Sequence, residues 1–308
     1  MNSIGNFQII KVLTANGECS MSKRMAVACI LAQSIIYGIG DPISKYAFDV
    51  MSVYPALILR YSIALVAIML LAGKYVIEEV KSKSLRPLLL PGVCIGTAYV
   101  TGNVGLSLTE ATTVAFLRSL AIVFTPVMAF AVYKTTCGWK QVPIILLMLA
   151  GLYLLCGVAE QGISAVGAGE LLALVSALCL AGALVFGQNA LISFTPLTLT
   201  TVQTACTAVI TFGAALLFRV PLDFSRGDVP SVCIVAYLAI ACTIGGYLLQ
   251  NSALGVISAK TTALLQCSCP VLTAFFSYVL IDERLSVYGM VGCVIILICL
   301  VLQSLIKE

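Results

Sequence analysis

Residues 111–133 read ATTVAFLRSLAIVFTPVMAFAVY, an apolar stretch long enough to cross a bilayer as a helix, with a single charge at Arg118. At about 1.5 Å of rise per residue, the Cα atom of Arg118 lies roughly 10 Å inside this stretch. An unpaired charge at that depth costs at least ~2.5 kcal/mol, and the positive end of the helix dipole adds to the cost. The sequence therefore predicts that Arg118 faces protein or water and that an anionic group, either a carboxylate or a bound substrate, lies beside it.

The whole chain has the composition of this stretch. Of its 308 residues, 61% are hydrophobic and only 10% are charged, and the mean hydropathy is +1.10. A soluble domain has about 25% charged residues. The breaks between the apolar runs are too short to hold a soluble catalytic or nucleic-acid-binding domain. The sequence predicts an all-α membrane protein with ten transmembrane helices, at 24–47, 55–74, 86–107, 111–134, 140–158, 168–190, 196–218, 229–254, 258–281 and 286–306.

The cysteines do not indicate disulfides or a metal centre. Eleven of the thirteen lie within predicted spans, and only Cys19 and Cys137 lie outside them. The chain has no histidine, and the close pair Cys267 and Cys269 has no second pair that would complete a zinc site. We expect the cysteines to pack as small apolar residues, and we expect neither a metal nor a cofactor.

Basic residues in the loops predict the orientation of the chain. In the first half one side of the membrane carries only Lys45, and the other side carries nine basic residues: Lys11, Lys23, Arg24, Lys74, Lys81, Lys83, Arg86, Lys134 and Lys140. The second half shows no such bias. By the positive-inside rule, a cell-membrane protein with ten spans would have both termini in the cytoplasm. We expect residues 1–22 to be a disordered tail, with translation starting at Met1 or Met21.

The second half of the chain repeats part of the first. An offset of 148 residues relates Tyr99, Asn103, Leu106, Ala111, Thr113, Ala115 and Leu117 to Tyr247, Asn251, Leu254, Ala259, Thr261, Ala263 and Leu265. The offset drops to 144 at Pro126 and Pro270, a difference of about one helical turn. The simplest interpretation is two five-helix repeats, residues 23–158 and 159–308. Because five is odd, the second repeat would cross the membrane inverted, as in many secondary transporters.

Short motifs recur along the chain in a characteristic order: Tyr37-Gly38 with Lys45, Pro55-Ala56-Leu57 with Arg60, residues 111–126, Gly169-Glu170-Leu171-Leu172-Ala173-Leu174, and Pro270 with Asp282-Glu283-Arg284-Leu285. In their order and spacing these motifs resemble the EamA-type transporters of the drug/metabolite transporter superfamily, over about residues 25–306. Asp41-Pro42 stand where that family usually has apolar residues, and Asp282 replaces the glycine of its G-E-R-L turn.

The resemblance implies ten helices, cytoplasmic termini and a metabolite carrier that works by alternating access. Members of the family move amino acids, nucleosides, phosphorylated sugars and drugs, so the resemblance does not fix the substrate. Many relatives are exporters.

Polar residues gather on the first span. Gln33, Tyr37, Asp41 and Lys45 follow one another at steps of four residues and form a stripe along one side of the helix. Asp41 and Lys45 are spaced to form a pair that neutralises itself near the interface, with Lys45 snorkelling. Alternatively, Asp41 takes up and releases a proton for coupling, or Lys45 holds an anion.

The predicted topology brings Lys45, Arg60 and Arg118 to similar depth, on the same side as Asp41, Asp49, Glu110 and Glu170. These charges form a structural network, or Arg118 contacts the substrate. In the second case a carboxylate or phosphate is its natural partner, because the planar guanidinium binds such groups through two hydrogen bonds.

The remaining polar residues within spans either bond across helices as packing residues or share a wet surface. The repeat places Tyr99 with Tyr247, Asn103 with Asn251, and Arg118 with Gln266 about a pseudo-twofold axis. Our hypothesis for the substrate site is Gln33, Tyr37, Tyr99, Asn103, Arg118, Tyr247, Gln250 and Gln266, with Asp41, Lys45 and Arg60 as a charge network or coupling group.

A secondary transporter for a small metabolite, such as an amino acid or another carboxylate-bearing or amphiphilic solute, is the leading functional hypothesis. The sequence has no G-x-x-x-x-G-K-[ST] motif. An intramembrane enzyme is disfavoured because histidine is absent and acidic residues within the spans are few. A channel would need a ring of like charges. A non-transporting sensor or packing subunit is the alternative. The expected partners are the small-molecule substrate and the lipid bilayer, not nucleic acid.

Overall fold

The computed structural model describes residues 21–109, 111–134, 142–155, 167–224, 227–281 and 286–305, and these are almost entirely helical. The predicted tail, apart from Met21 and Ser22, lies outside the described residues. The helices are α1 (Lys23–Met51), α2 (Val53–Ser82), α3 (Arg86–Leu108), α4 (Ala111–Ser119), α5 (Ala121–Tyr133), α6 (Val142–Leu155), α7 (Ala168–Ala190), α8 (Pro196–Leu217), α9 (Val229–Tyr237), a π-helical segment (Leu238–Gly245), α10 (Gly246–Leu254), α11 (Ala259–Gln266), α12 (Ser268–Ile281) and α13 (Val287–Leu305).

The predicted all-α membrane architecture is confirmed. Among the described residues, eight helical segments are long and apolar enough to cross a membrane. Two shorter apolar helices, Val142–Leu155 and Val287–Leu302, occupy the places of the fifth and tenth predicted spans. The apolar runs that were read from the sequence therefore correspond to helices in order along the chain.

Two of the predicted spans are interrupted within their length. The fourth span breaks at Leu120, whose N–H donates to the carbonyl of Leu117 at 3.1 Å instead of to the residue four back. The ninth span breaks at Cys267, whose N–H likewise donates to the carbonyl of Leu264 at 3.2 Å. The two breaks lie at corresponding places in the two halves, and each precedes a proline by a few residues.

The eighth span widens into the π-helical segment Leu238–Gly245. Thr243 Oγ1 donates to the carbonyl of Leu238, five residues back, at 3.1 Å. The Tyr237 hydroxyl and the Cys242 thiol both donate to the carbonyl of Ile36 in α1, at 3.2 and 3.6 Å. Such wide turns are frequent at functional sites. The wide turn is thus tied to the first helix of the chain.

The two halves are interleaved. Helix α3 packs along α7 and α8, and α1 packs along α10 and α12. Glycines permit these close approaches, because a Cβ atom at Gly96 would lie 3.1 Å from the Thr207 Cα, and one at Gly38 would lie 3.0 Å from the Leu272 carbonyl carbon. Gly92 and Gly96 thus form a packing seam on α3, and α8 is the helix that lies against it.

Contacts at the two ends of the molecule define the helix directions. We call the end where α1 begins the N-terminal end, and the opposite end the far end. At the N-terminal end α1 meets the end of α10, the end of α2 meets the start of α8, and the end of α7 meets the start of α11. At the far end, the end of α3 meets the start of α7 through Thr109 and Glu170. Helices α1, α3 and α8 therefore run one way, and α2, α7 and α10 run the other way.

The carboxylate of Glu79 holds α2 and α8 together at the N-terminal end. It accepts from Lys83 Nζ at 2.9 Å, from Thr198 Oγ1 at 2.6 Å, and from the Thr195 N–H and hydroxyl at 3.2 and 2.7 Å. Thr195 is the N-cap of α8, so the carboxylate also lies at the positive end of that helix dipole.

We expect Glu79→Ala to lower the thermal unfolding midpoint by several degrees, because hydrogen bonds to a charged group each contribute about 1.5–3 kcal/mol. The neighbouring Glu78 is exposed, so Glu78→Ala is the matched control and should leave the midpoint unchanged. Unfolding can be followed with a thiol-reactive dye that reports the chain's own cysteines as they become exposed. Equal midpoints for the two variants would contradict the role given to Glu79.

Candidate functional site

A cavity of about 170 Å³ lies where the two halves meet. Its size is close to that of an engineered ~150 Å³ cavity that holds benzene. Its lining extends along α1 from Gln33 to Ser44 and along α3 from Tyr99 to Leu106. It therefore reaches from the middle of the helices toward the far end. Residues of both halves line it, including the breaks after Ser119 and Gln266 and the π-helical segment.

Three glutamines, which we call the glutamine triad, lie at the inner end of the cavity. The Gln33 amide donates to Gln250 Oε1 at 2.9 Å, and the Gln266 amide donates to Gln250 Oε1 at 2.8 Å and to Gln33 Oε1 at 3.2 Å. The triad joins α1, α10 and α11. Between it and the N-terminal end lies an apolar cluster formed by Ala26, Ile30, Ala253, Ile257 and Leu265. Together the triad and this cluster separate the cavity from the N-terminal end.

Two arginine side chains lie on the ring of Tyr99. The guanidinium carbons of Arg60 and Arg118 are 5.9 and 5.6 Å from the centroid of that ring. Arg60 is only 5% exposed, lies 5.4 Å from the Tyr61 ring, and donates from Nε to Thr243 Oγ1 at 2.8 Å. Cations are attracted to aromatic faces at such distances, more strongly where water is excluded. The aromatic faces therefore stabilise both charges.

Four tyrosines from four helices form the wall that carries these charges. The Tyr99 hydroxyl donates to the Tyr37 hydroxyl at 3.1 Å, and the hydroxyls of Tyr61 and Tyr247 are 3.5 Å apart. The Tyr99 ring lies 6.4 Å from that of Tyr61 and 5.5 Å from that of Tyr247, with the rings inclined to each other. The ring contacts and hydroxyl contacts fix Tyr99 in place, and Tyr99 in turn positions both guanidinium groups.

Arg118 is held more loosely than Arg60. No hydrogen bond or ion pair to Arg118 is found among the described residues, and its buried Nε is without a partner there. The guanidinium lies against Gly102, where a Cβ atom would come within 3.2 Å of Nε and 2.8 Å of Ser176 Oγ. The carboxylate expected beside Arg118 is thus replaced, in the part of the chain described, by the Tyr99 ring. Arg118 retains hydrogen-bonding capacity beside the cavity.

The structure brings most of the predicted site residues together. Tyr247 is buried behind Tyr99 and does not line the cavity. Asp41 and Lys45 lie in α1, but their side chains are outside the described part. The other predicted residues line the cavity: Gln33, Tyr37, Arg60, Tyr99, Asn103, Arg118, Gln250 and Gln266.

Other polar residues that were singled out in the sequence lie elsewhere. Asn251 Nδ2 donates to Gln203 Oε1 at 2.8 Å and to Thr200 Oγ1 at 2.9 Å, and these fully buried groups bind α10 to α8. Glu170 accepts from Thr109 and from the Gly167 N–H at the start of α7, so it caps that helix. Asn251 therefore has a packing role, and Glu170 has a capping role.

Sequence reasoning missed three residues of the site. Thr243 positions Arg60, Tyr61 contributes a second aromatic face, and Gly102 leaves room for Arg118. Tyr61 directly follows Arg60 in the sequence, and this was an available signal. Thr243 and Gly102 gave none, because their roles depend on which helices become neighbours.

Comparisons with known proteins agree with this architecture. A sequence model of the EamA-like transporter family matches residues 24–157 and, a second time, residues 167–305. A protein of Bacillus subtilis (strain 168) named uncharacterized transporter YyaM is 25% identical over 280 residues, covering 87% of this chain and 90% of that protein. An uncharacterized transporter of Archaeoglobus fulgidus is 22% identical over 304 residues, covering 99% of this chain and 94% of that protein.

A solved crystal structure of a protein superposes on the chain with a TM-score of 0.71. The match covers 92% of this chain and 98% of the other chain, at 14% sequence identity. At that identity the likeness concerns the fold alone.

We expect Gly102→Ala to displace the Arg118 guanidinium and to lower the thermal unfolding midpoint, because the new Cβ atom overlaps Ser176 Oγ. Overpacking of this kind costs typically 1–3 kcal/mol. Gly213 in α8 has nothing within 4 Å of an added Cβ atom, so Gly213→Ala is the control and should be neutral or slightly stabilising. A Gly102→Ala protein as stable as the control variant would show that α3 and α7 are not packed as described.

Proposed function

Because the chain belongs to the EamA-like transporter family, we propose that it is a secondary transporter that moves a small metabolite across the cell membrane by alternating access. The observation that carries the proposal is the cavity between the halves, lined by the two arginines and closed on one side by the glutamine triad. A polar cavity between packed helices is where a carrier would bind its substrate.

We further propose that ten helices cross the membrane as two inverted repeats, residues 23–158 and 159–308. Three observations support this. The first three helices of the first half run opposite to their counterparts α7, α8 and α10 in the second half. The packing of α3 on α7 has its counterpart in the packing of α10 on α1. The breaks at Leu120 and Cys267 occupy corresponding places.

The glutamine triad and the apolar cluster behind it are the barrier in the proposed cycle. Opening the cavity to the N-terminal end requires α1 to separate from α10 and α11, which breaks the two amide hydrogen bonds that Gln33 makes with Gln250 and Gln266. Hydrogen bonds of this kind between membrane helices average only about 0.6 kcal/mol each. The described residues of the barrier also include no ion pair. Cargo or water can therefore compensate for the amide bonds that are lost on opening.

The orientation and coupling follow from the loop charges and from α1. With the N-terminal end in the cytoplasm, the cavity described here is directed outward, which is one of the two states of an alternating-access cycle. The direction that we propose is export, as in many members of the family. Asp41 follows the cavity residues Tyr37 and Gly40 along α1, and it is our candidate for proton coupling.

The test is transport by the purified protein in lipid vesicles. Amino acids and organic anions are screened by uptake and counterflow, with and without a pH gradient, and we expect at least one to be exchanged. Gln266→Ala should lower the initial rate at least tenfold because it removes a polar side chain that lines the cavity. Asn189→Ala, which removes an exposed amide from α7, should transport normally.

Two results would contradict the proposal. Gln266→Ala protein that inserts normally and transports at the control rate would remove the triad from the transport path. If no compound of any class is exchanged by folded protein, the chain is better described as a sensor or a packing subunit.

A further inference from the structure

The cavity offers hydrogen-bond donors and acceptors in unequal number. Gln250 Oε1 already accepts two bonds, whereas the two N–H groups of Gln250 have no partner among the described residues. Gln33 is also hydrogen-bonded to the side chain of Tyr37, so the N–H groups of Gln250 are the main donors that the triad offers to a ligand. The amide acceptors left over are Gln266 Oε1 and Asn103 Oδ1, since the Asn103 amide donates to the carbonyl of Tyr99 at 2.7 Å. Hydroxyl oxygens of the lining, such as that of Ser119, are further neutral acceptors. These amide orientations are assigned from the network.

The positive charges of two arginines add to the excess of donors over acceptors. Arg118 lines the cavity with the donor-only guanidinium group, and Arg60 brings a second positive charge. Both guanidinium carbons lie within 6 Å of the Tyr99 ring centroid, so the two charges are less than 12 Å apart. No carboxylate is paired with either arginine among the described residues. The described part of the cavity wall is therefore positive and rich in donors.

The volume of the cavity limits the size of the cargo. At about 170 Å³ it is smaller than the ~300–1,000 Å³ of sites that bind drug-sized ligands. A nucleotide or an amphiphile with a long tail does not fit within it, whereas a molecule of six to ten non-hydrogen atoms, slightly larger than benzene, is of the right order.

We propose that the cargo is a compact organic anion, a carboxylate with a second oxygen acceptor. This inference rests on the proposed transport function. The carboxylate lies beside Arg118, for which no competing hydrogen bond is found among the described residues, and the second oxygen accepts from the Gln250 amide. A zwitterionic amino acid is disfavoured, because its ammonium group would meet two positive charges and, among the described lining residues, only neutral acceptors such as Gln266 Oε1 and Asn103 Oδ1.

The experiment compares three probes of nearly equal size and shape: L-lactate, which is an anion, L-alanine, which is a zwitterion, and lactamide, which is neutral. Binding is measured from the rise in unfolding midpoint with probe concentration in phosphatidylcholine nanodiscs, and counterflow is measured separately in vesicles. We expect lactate to bind at least tenfold more tightly than alanine or lactamide. We expect counterflow of lactate and not of alanine.

Variants of Arg118 test the assignment of the charge. Arg118→Gln should weaken lactate binding at least tenfold and leave the weak binding of lactamide unchanged. Arg118→Lys keeps the charge without the planar fork, and its lactate affinity should lie between those of Arg118→Gln and the wild type. Arg86 is exposed at the start of α3, so Arg86→Gln removes a charge outside the cavity and should bind lactate as the wild type does.

Equal binding of the three probes, or lactate binding that is the same in Arg118→Gln and Arg86→Gln, would overturn the anion inference. The proposed function would still stand if any probe shows counterflow. Lactate binding that depends on Arg118 without counterflow of any compound would retain the anion site and overturn transport. Loss of lactate binding when the nanodiscs contain phosphatidylglycerol would assign the site to a lipid headgroup, which also overturns the inference.

Discussion

Two positive charges share one aromatic ring inside an apolar helical bundle, and the rest of the site depends on this arrangement. A cation at bilayer depth costs several kcal/mol unless something stabilises it. A carboxylate would stabilise Arg60 and Arg118 most strongly, but it would also neutralise them. The faces of Tyr99 and Tyr61 lower the cost while leaving each guanidinium positive. Charge that is stabilised without being neutralised remains available to a ligand.

The surrounding scaffold serves to hold this arrangement. The π-helical segment turns Thr243 toward Arg60, and Gly102 leaves the space that Arg118 occupies. Away from the cavity, the bonds from Asn251 to Gln203 and Thr200 lock α10 to α8, and Glu79 locks α2 to α8. The strongest polar contacts thus lie between helices away from the cavity. The contacts at the inner end of the cavity are the weaker amide bonds of the glutamine triad, which suits a part of the molecule that opens.

Much of this could be predicted from the sequence because a bilayer restricts what a chain can do. Apolar length predicted the helices, and a single charge in a long apolar stretch indicated that Arg118 faces the interior. The repeat identified Tyr99 and Tyr247 as partners, and their rings do contact each other. Asp41 and Lys45 were predicted to form an ion pair or to serve in coupling. Their side chains lie outside the described residues, so this stays a prediction.

The remainder depends on tertiary contacts that have no local signature. Leu120 is an ordinary residue for a helix interior, so the break there could not be predicted from propensity. Nothing within 238–245 distinguishes a π-helix from an α-helix. The three glutamines were named as separate candidates, but their mutual bonds require α1, α10 and α11 to converge. Arg60 was predicted to belong to a network of charges, and its contacts among the described residues are two aromatic rings and a hydroxyl.

The central claim, that the cavity is accessible to water and positive, is tested most directly by the charge preference of a thiol inside it. Cys269 lines the cavity and is partly exposed, so a variant that keeps Cys269 as its only cysteine can be treated with anionic and cationic methanethiosulfonate reagents of similar size. The anionic reagent should react several-fold faster after correction for intrinsic reactivity, and this preference should disappear when Arg60 and Arg118 are both replaced by Gln. A cationic reagent that reacts as fast as the anionic one in the arginine-containing protein would contradict the claim.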